Sequence, residues 1–137
     1  MLAEDGQDNQ RLISTVLRKA GAEVKVVENG QLACDEALRA MTDGKPYDVV
    51  LMDMLMPVMD GIEATRRLRT EWPTPQSQVP VLGLTANVHN ADHDRCMAVG
   101  MSALVLKPFD RHALCGLIEE QLLSSAAFLQ RFHRAED

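Results

Sequence analysis

The sequence predicts an α/β domain: a parallel five-stranded sheet with five helices distributed over both faces. Three observations predict it. Short apolar runs alternate with longer segments of helical period along nearly the whole chain, and strict strand–helix alternation implies crossovers that return each strand parallel to the last. Val49 to Met52 is an unbroken apolar run between polar residues, as in a strand buried on both faces. That run stops on a carboxylate, Asp53, and Pro57 and Gly61 then force a loop. An acid at the carboxyl end of a central strand lies where open α/β sheets bind ligands. Taken alone, Asp53 fits a turn or helix-cap residue equally well.

Taken in order, Met1-Leu2-Ala3 is a short first strand ending on Glu4-Asp5. Asp8 or Asn9 is suited to cap the first helix, whose Leu12, Ile13, Val16, Leu17 and Ala20 recur at helical spacing before Gly21. Glu23 to Val27 reads as a more exposed edge strand, and Asn29-Gly30 as a turn. Leu32, Ala33, Ala37, Leu38 and Met41 mark the second helix, which Asp43-Gly44-Lys45-Pro46 ends. After the central strand, Ile62, Thr65 and Leu68 share one side of a third helix running to about Glu71, with Arg66, Arg67 and Arg69 read as a solvated face. A polar loop leads to a fourth strand, Val79 to Leu84, followed by Thr85. Asn90 to Val99 is a weak polar helix stopped by Gly100, Ala103 to Leu106 a fifth strand followed by Lys107-Pro108, and Phe109 the start of the last helix, with Leu114, Leu117, Ile118 and Leu122 inward. The division expected is one domain over residues 1–123 and a helical extension or linker over 124–137 that carries Phe128, Leu129 and Phe132.

Composition narrows the function classes. A length of 137 residues suits one domain with a real core. The formal net charge of −6 argues against direct nucleic-acid binding. No apolar stretch approaches the roughly 20 residues that span a bilayer, and no signal-peptide pattern opens the chain. Cys34, Cys96 and Cys115 are odd in number and form no CxxC pair, so neither a disulfide framework nor a zinc site is expected, and a reducing cytoplasm is the simplest setting. Met52, Met54, Met56 and Met59 are read as packing residues, and His89, His93 and His112 as surface residues.

In a parallel sheet, residues that follow each strand converge on one edge. Glu4, Asp5, Asp53, Thr85 and Lys107 therefore meet at one mouth. Clustered carboxylates ask for a cation, and Mg²⁺ takes oxygen ligands together with phosphate. Phosphoryl transfer fits such a site because it needs positioning and charge stabilisation above all. Asp53, on the central strand, is the expected nucleophile.

The chain resembles the receiver domains of two-component response regulators, and the receivers of hybrid sensor histidine kinases in particular. The resemblance rests on Glu4-Asp5, on Asp48 to Gly61 with its Met-Pro-Val-Met-Asp-Gly ending, on Leu84-Thr85-Ala86, on Gly100-Met101 and on Lys107-Pro108-Phe109. It implies a flavodoxin-like sheet of strand order 2-1-3-4-5. It implies further that Asp53 accepts a phosphoryl group from a histidine kinase or histidine phosphotransfer domain, so that the protein is a signalling switch catalysing only its own phosphorylation and dephosphorylation. Mg²⁺ would be held by Asp5, Asp53 and the backbone carbonyl of Leu55, with Glu4 acting mainly through water. Thr85 and Lys107 would contact the phosphoryl oxygens, and a cis bond would precede Pro108. The implied output is the face of the fourth helix, fifth strand and fifth helix, contacts with a second copy of the chain included.

Three positions depart from the family pattern. Few apolar residues precede Glu4-Asp5, so the first strand is expected to be short. Leu104 stands at the switch position, where an aromatic residue is usual, and offers less bulk and no hydroxyl. Leu55, two residues after Asp53, cannot orient a water for hydrolysis. A metal-dependent phosphohydrolase on a similar sheet needs a second carboxylate at that place, so Leu55 also argues against an enzyme. A receiver that works by contact alone is disfavoured because every acceptor-site residue is present.

Overall fold

The computed structural model describes residues 1–72, 76–86, 90–107 and 110–124. Five strands and five helices alternate: β1 Leu2–Ala3, α1 Gln7–Lys19, β2 Val26–Val27, α2 Gly30–Thr42, β3 Val50–Asp53, α3 Gly61–Glu71, β4 Val81–Thr85, α4 Asn90–Ala98, β5 Ala103–Leu106 and α5 Arg111–Ser124. A short 3-10 turn, Gln76–Gln78, precedes β4. All strand pairs are parallel and the order is β2-β1-β3-β4-β5, as the sequence predicts. Pro108, Phe109 and the tail from 125 onward lie outside the described residues, and with them the cis-bond expectation and the extension carrying Phe128, Leu129 and Phe132.

Alternation along the strands builds two cores. Leu2, Leu51, Leu82, Leu84 and Val105 point to the α1–α5 side, where Ile13, Leu17 and Leu114 meet them. Ala3, Val50, Met52 and Val81 point to the other side, against Ala33, Cys34 and Ala37 of α2, Ala64 and Leu68 of α3, and Cys96 of α4. β3 is buried throughout, as expected of a central strand with helices on both faces. Cys34, Cys96 and Cys115 are free, the first two buried and the third half-buried.

Several local expectations are corrected. The first helix is capped by Gly6 and already contains Asp8 and Asn9. Asn29 is not a turn residue but the cap of α2: its side-chain oxygen accepts from the Leu32 amide at 2.8 Å. Leu12, Leu32 and Leu38 fall on helical stripes yet are exposed, while the smaller Ala33, Cys34, Ala37 and Ala40 fill the inner face of α2. That face must be small because the β3–α3 loop comes close, the Gly30 amide donating to the Met59 carbonyl at 2.9 Å. β2 is shorter than the sequence predicts, and β4 begins two residues later and includes Thr85.

Candidate functional site

Strand polarity delivers the acidic residues to one edge. Asp53 is the last residue of β3 and is 8% exposed. Glu4 and Asp5 follow β1, the neighbour of β3. Side-chain oxygens of Glu4, Asp5 and Asp53 lie within 4.8 Å of one another. Glu4 is almost wholly buried and Asp5 exposed, so the two adjacent acids are not equivalent. Glu4 is fixed by α1: its Oε1 accepts from the Gly6 amide and from Asn9 Nδ2, both at 3.2 Å, and Gln10 Nε2 donates to its backbone oxygen at 2.6 Å. Sequence reading assigned no role to Gln10 and misplaced Asn9 as a cap. Their position four and five residues past Asp5, on the first turn of the following helix, was the available signal.

Lys107 enters from β5. Its Nζ lies 3.3 Å from Glu4 Oε2 and 3.4 Å from Asp53 Oδ2, and its backbone amide donates to the Thr85 carbonyl at 2.7 Å. The ammonium thus supplies positive charge between two buried carboxylates, spanning β4 from the neighbouring strand. Thr85 is half-buried at the end of β4, one residue beyond Leu84, which is in register with Asp53. Thr85 is in register with Leu106.

The electrostatics separate the two buried acids. Burial pushes Asp53 up to about 6, reinforced by the Glu4 carboxylate beside it and opposed by Lys107. Burial also acts to raise Glu4, but its hydrogen bonding to Asp53, the nearby Lys107 charge, and the donors Asn9 and Gly6 outweigh that and hold it below the usual range. The pair therefore competes for a proton, and the member with fewer donors takes it. The three donors are all hard oxygen atoms, half enclosed and with excess negative charge, which fits Mg²⁺ better than a softer metal.

The β3–α3 loop follows Asp53 directly and borders the site. The Leu55 amide faces Asp53 Oδ1 at 3.5 Å, while its side chain is 82% exposed. Val58 has φ +68°, and the Met59 amide donates to the Pro57 carbonyl at 2.7 Å. This is a three-residue turn in a conformation strained for a β-branched residue. Asp60 then caps α3, accepting from the Glu63 amide at 2.8 Å. Gly61 is the first residue of α3, and a β-carbon there would strike the Asp53 carbonyl oxygen well inside van der Waals contact. Leu104 is half-buried and packs on the α2–α3–α4 side over Gly83, whose missing β-carbon leaves room for it.

One expectation fails. Arg66 and Arg67 form the solvated face, paired with Glu63, but Arg69 turns inward. Its Nε donates to the Gly100 carbonyl at 2.9 Å, and its Nη1 to Ser77 and Val79 carbonyls at 3.1 and 2.6 Å. His93 and His112 are exposed, as expected; His89 lies outside the described residues.

The Response regulator receiver domain family matches residues 1–119. Histidine kinase 1 of Arabidopsis thaliana is 33% identical in an alignment that covers 86% of this chain and 12% of that protein. Hybrid signal transduction histidine kinase H of Dictyostelium discoideum is 41% identical over 111 residues, 79% of this chain and 8% of that protein. The chain thus corresponds to a small part of each of these relatives. Among solved structures, the receiver domain of a sensor histidine kinase from Pseudomonas aeruginosa, with magnesium coordinated in its active site cleft, superposes with a TM-score of 0.78 at 36% identity, covering 88% of this chain and 93% of that one. A chemotaxis protein of Vibrio cholerae gives 0.77 at 27% identity, covering 88% and 94%. With the strand order, the acidic mouth and the lysine from β5 already in place, the match over residues 1–119 makes this chain a member of the response regulator receiver domain family.

Proposed function

We propose that Asp53 is the phosphoacceptor, taking a phosphoryl group from the phosphohistidine of a histidine kinase or histidine phosphotransfer domain. The observation that carries this reading is the buried Asp53 carboxylate at the end of β3, within 4.8 Å of two further acids and 3.4 Å from the Lys107 ammonium. In the transfer, an Asp53 oxygen forms a bond to phosphorus as the phosphorus–nitrogen bond breaks, and the imidazole nitrogen keeps the electron pair. Glu4, Asp5, Asp53 and the backbone carbonyl of Leu55 would hold Mg²⁺, with Glu4 acting mainly through water. Bound there, Mg²⁺ neutralises charge on the phosphoryl oxygens. Thr85 and Lys107 would bind the remaining oxygens, Lys107 exchanging a carboxylate partner for a phosphoryl one. The raised Asp53 carboxyl is ionised at neutral pH, as a nucleophile must be, and discharges its repulsion with Glu4 when a cation is present.

The protein acts as a switch in the cytoplasm and turns over no separate substrate. Phosphorylation adds roughly −1.5 to −2 charge at the sheet edge. Reorganisation of Thr85 and Lys107 around it shifts Leu104 and the α4–β5–α5 face between two populations, changing contacts there with partners, a second copy included. The exposed Leu55 side chain offers no hydrogen bond to an attacking water, so the acyl phosphate is long-lived. Leu55→Asn and Leu55→Glu should alter its rate of decay, and a rate unchanged in both removes that idea.

The direct test is incubation with Mg²⁺ and acetyl phosphate, read by intact mass, beside an Asp53→Ala control. One phosphoryl group gained by the parent and none by the control is expected. No gain, with Mg²⁺ binding confirmed, would overturn the assignment in favour of a module that works by contact alone.

A further inference from the structure

Arg69 sits on the last turn of α3, on the opposite end of the sheet from the acidic mouth, and none of the chemistry above uses it. Its guanidinium joins three carbonyl groups from two separate connections. Ser77 and Val79 lie on the chain entering β4, and Gly100 lies on the chain leaving α4 toward β5. The Gly100 connection is itself tightly made. Gly100 has φ +101°, its amide donates to Met97 at 3.1 Å, and the Met101 amide donates to Cys96 at 3.1 Å, closing α4 with a left-handed glycine cap. Immediately beyond, the Ser102 amide donates to the Val81 carbonyl at 2.8 Å, and Ser102 Oγ accepts from the Val81 amide at 3.2 Å. A β-carbon on Gly100 would stand 2.9 Å from Arg69 Cγ, so glycine also makes room for the arginine.

These bonds gather the starts of β4 and β5 and the end of α4 at one guanidinium. The other ends of the same two strands carry Thr85 and Lys107. Cys96, in the last turn of α4, is 1% exposed and packs into the core on that side of the sheet.

We infer that Arg69 is a positioning residue that anchors the far end of the β4–α4–β5 unit to α3, so that rearrangement triggered at Asp53 is confined to the end bearing Thr85 and Lys107 and fades before Gly100. A planar guanidinium with five donors can bridge carbonyls on two connections, which a lysine ammonium on a flexible stem reproduces only in part. The positive charge also faces the carbonyl end of α4, the favourable polarity for a cation. The inference rests on the phosphoacceptor reading, and it deepens that reading by fixing where the switch stops.

The test compares the parent protein with Arg69→Met and Arg69→Lys. In the unphosphorylated proteins, amide hydrogen exchange at Gly100, Met101 and Ser102 should quicken by about tenfold in Arg69→Met and by less in Arg69→Lys, with amides of α1 and α2 unchanged. Amide chemical shifts are then mapped before and after adding Mg²⁺ and beryllium fluoride, an acyl-phosphate mimic. Changes in the parent should die out before Gly100. In Arg69→Met they should run through Ser102, with Asp53 still accepting one phosphoryl group from acetyl phosphate. If Arg69→Met fails to fold, Arg69→Lys is read by the same criteria. Parent-like exchange and parent-like shift maps overturn the inference, and so does acceleration spread evenly over all amides, which marks a residue of general stability only. Absence of phosphoryl uptake by the parent overturns the phosphoacceptor reading and this inference together; uptake with an unaltered shift map overturns this one alone.

Discussion

α3 and α4 lie on the same face of the same sheet, yet they are held in different ways. α3 begins against the backbone of Asp53, is capped by Asp60, and buries Gly61, Ala64, Thr65 and Leu68. Thr65 Oγ1 donates to the Gly61 carbonyl at 2.7 Å, closing its first turn. α4 is shorter, and its described side chains bury one residue, Cys96, near the end remote from the acidic mouth. The difference divides the site. Glu4 is fixed by burial and by donors from Gly6 and Asn9, and Asp53 by its place at the end of a fully buried strand, whereas among the described side chains of α4 Cys96 alone is buried. A two-state switch needs both a firmly packed site and an element held by fewer buried contacts.

The largest expected effect strikes the rigid side. Gly61→Ala drives a β-carbon into the Asp53 carbonyl, and the backbone there cannot retreat without displacing Asp53. A loss of about 3 kcal/mol in urea unfolding is expected, and a near-neutral result would show that α3 is not rooted at Asp53.

A gain comes next. The folded-state carboxyl of Asp53 is raised to about 6 from an ordinary value of 3.8. Between those values Asp53 binds more proton in the folded state than in the unfolded, so its own contribution to the stability of the metal-free protein falls as pH climbs from about 4 to 6. Asp53→Asn removes that cost. It should stabilise the metal-free protein by about 1–2 kcal/mol at pH 7 and have little effect near pH 4. Added Mg²⁺ should raise the melting temperature of the parent and narrow the gap. An equal gain at both pH values would mean that charge repulsion with Glu4 is not its source.

Smaller still is Asp60→Ala, which removes the cap of α3 and should cost about 1 kcal/mol while leaving the amide exchange of α4 unchanged. The smallest effect belongs to the lightly held side: His93→Ala on exposed α4 should shift stability by less than about 0.5 kcal/mol. A cost comparable to that of Asp60→Ala would break the contrast between the two helices.

What could be read in advance follows the same line. The alternation of periods, the fully apolar β3 and the carboxylates that end strands are local signals, and parallel topology alone carries Glu4, Asp5, Asp53 and Lys107 to one edge. Helical stripes were less informative. Leu32 and Leu38 obey the spacing of α2 but stay exposed, because the inner face is set by how closely the β3–α3 loop approaches, and alanine and cysteine fit there. Periodicity tells which residues share a side; it does not tell how much room the neighbour leaves.

The sequence by itself determined the fold class, the strand order through its family resemblance, and the identity of the converging acids, because strand direction and residue period are properties of the chain. The tertiary structure alone decided that Glu4 is buried and donor-rich while Asp5 is open, that Asp53 is the acid whose protonation rises, that Asn9 and Gln10 brace Glu4, and that Arg69 faces inward to three carbonyls instead of joining Arg66 and Arg67 in solvent. Each of these depends on which groups stand across a few ångströms of space from residues distant in sequence. Burial and hydrogen-bond partners, and the charge states they set, exist only once the elements have packed.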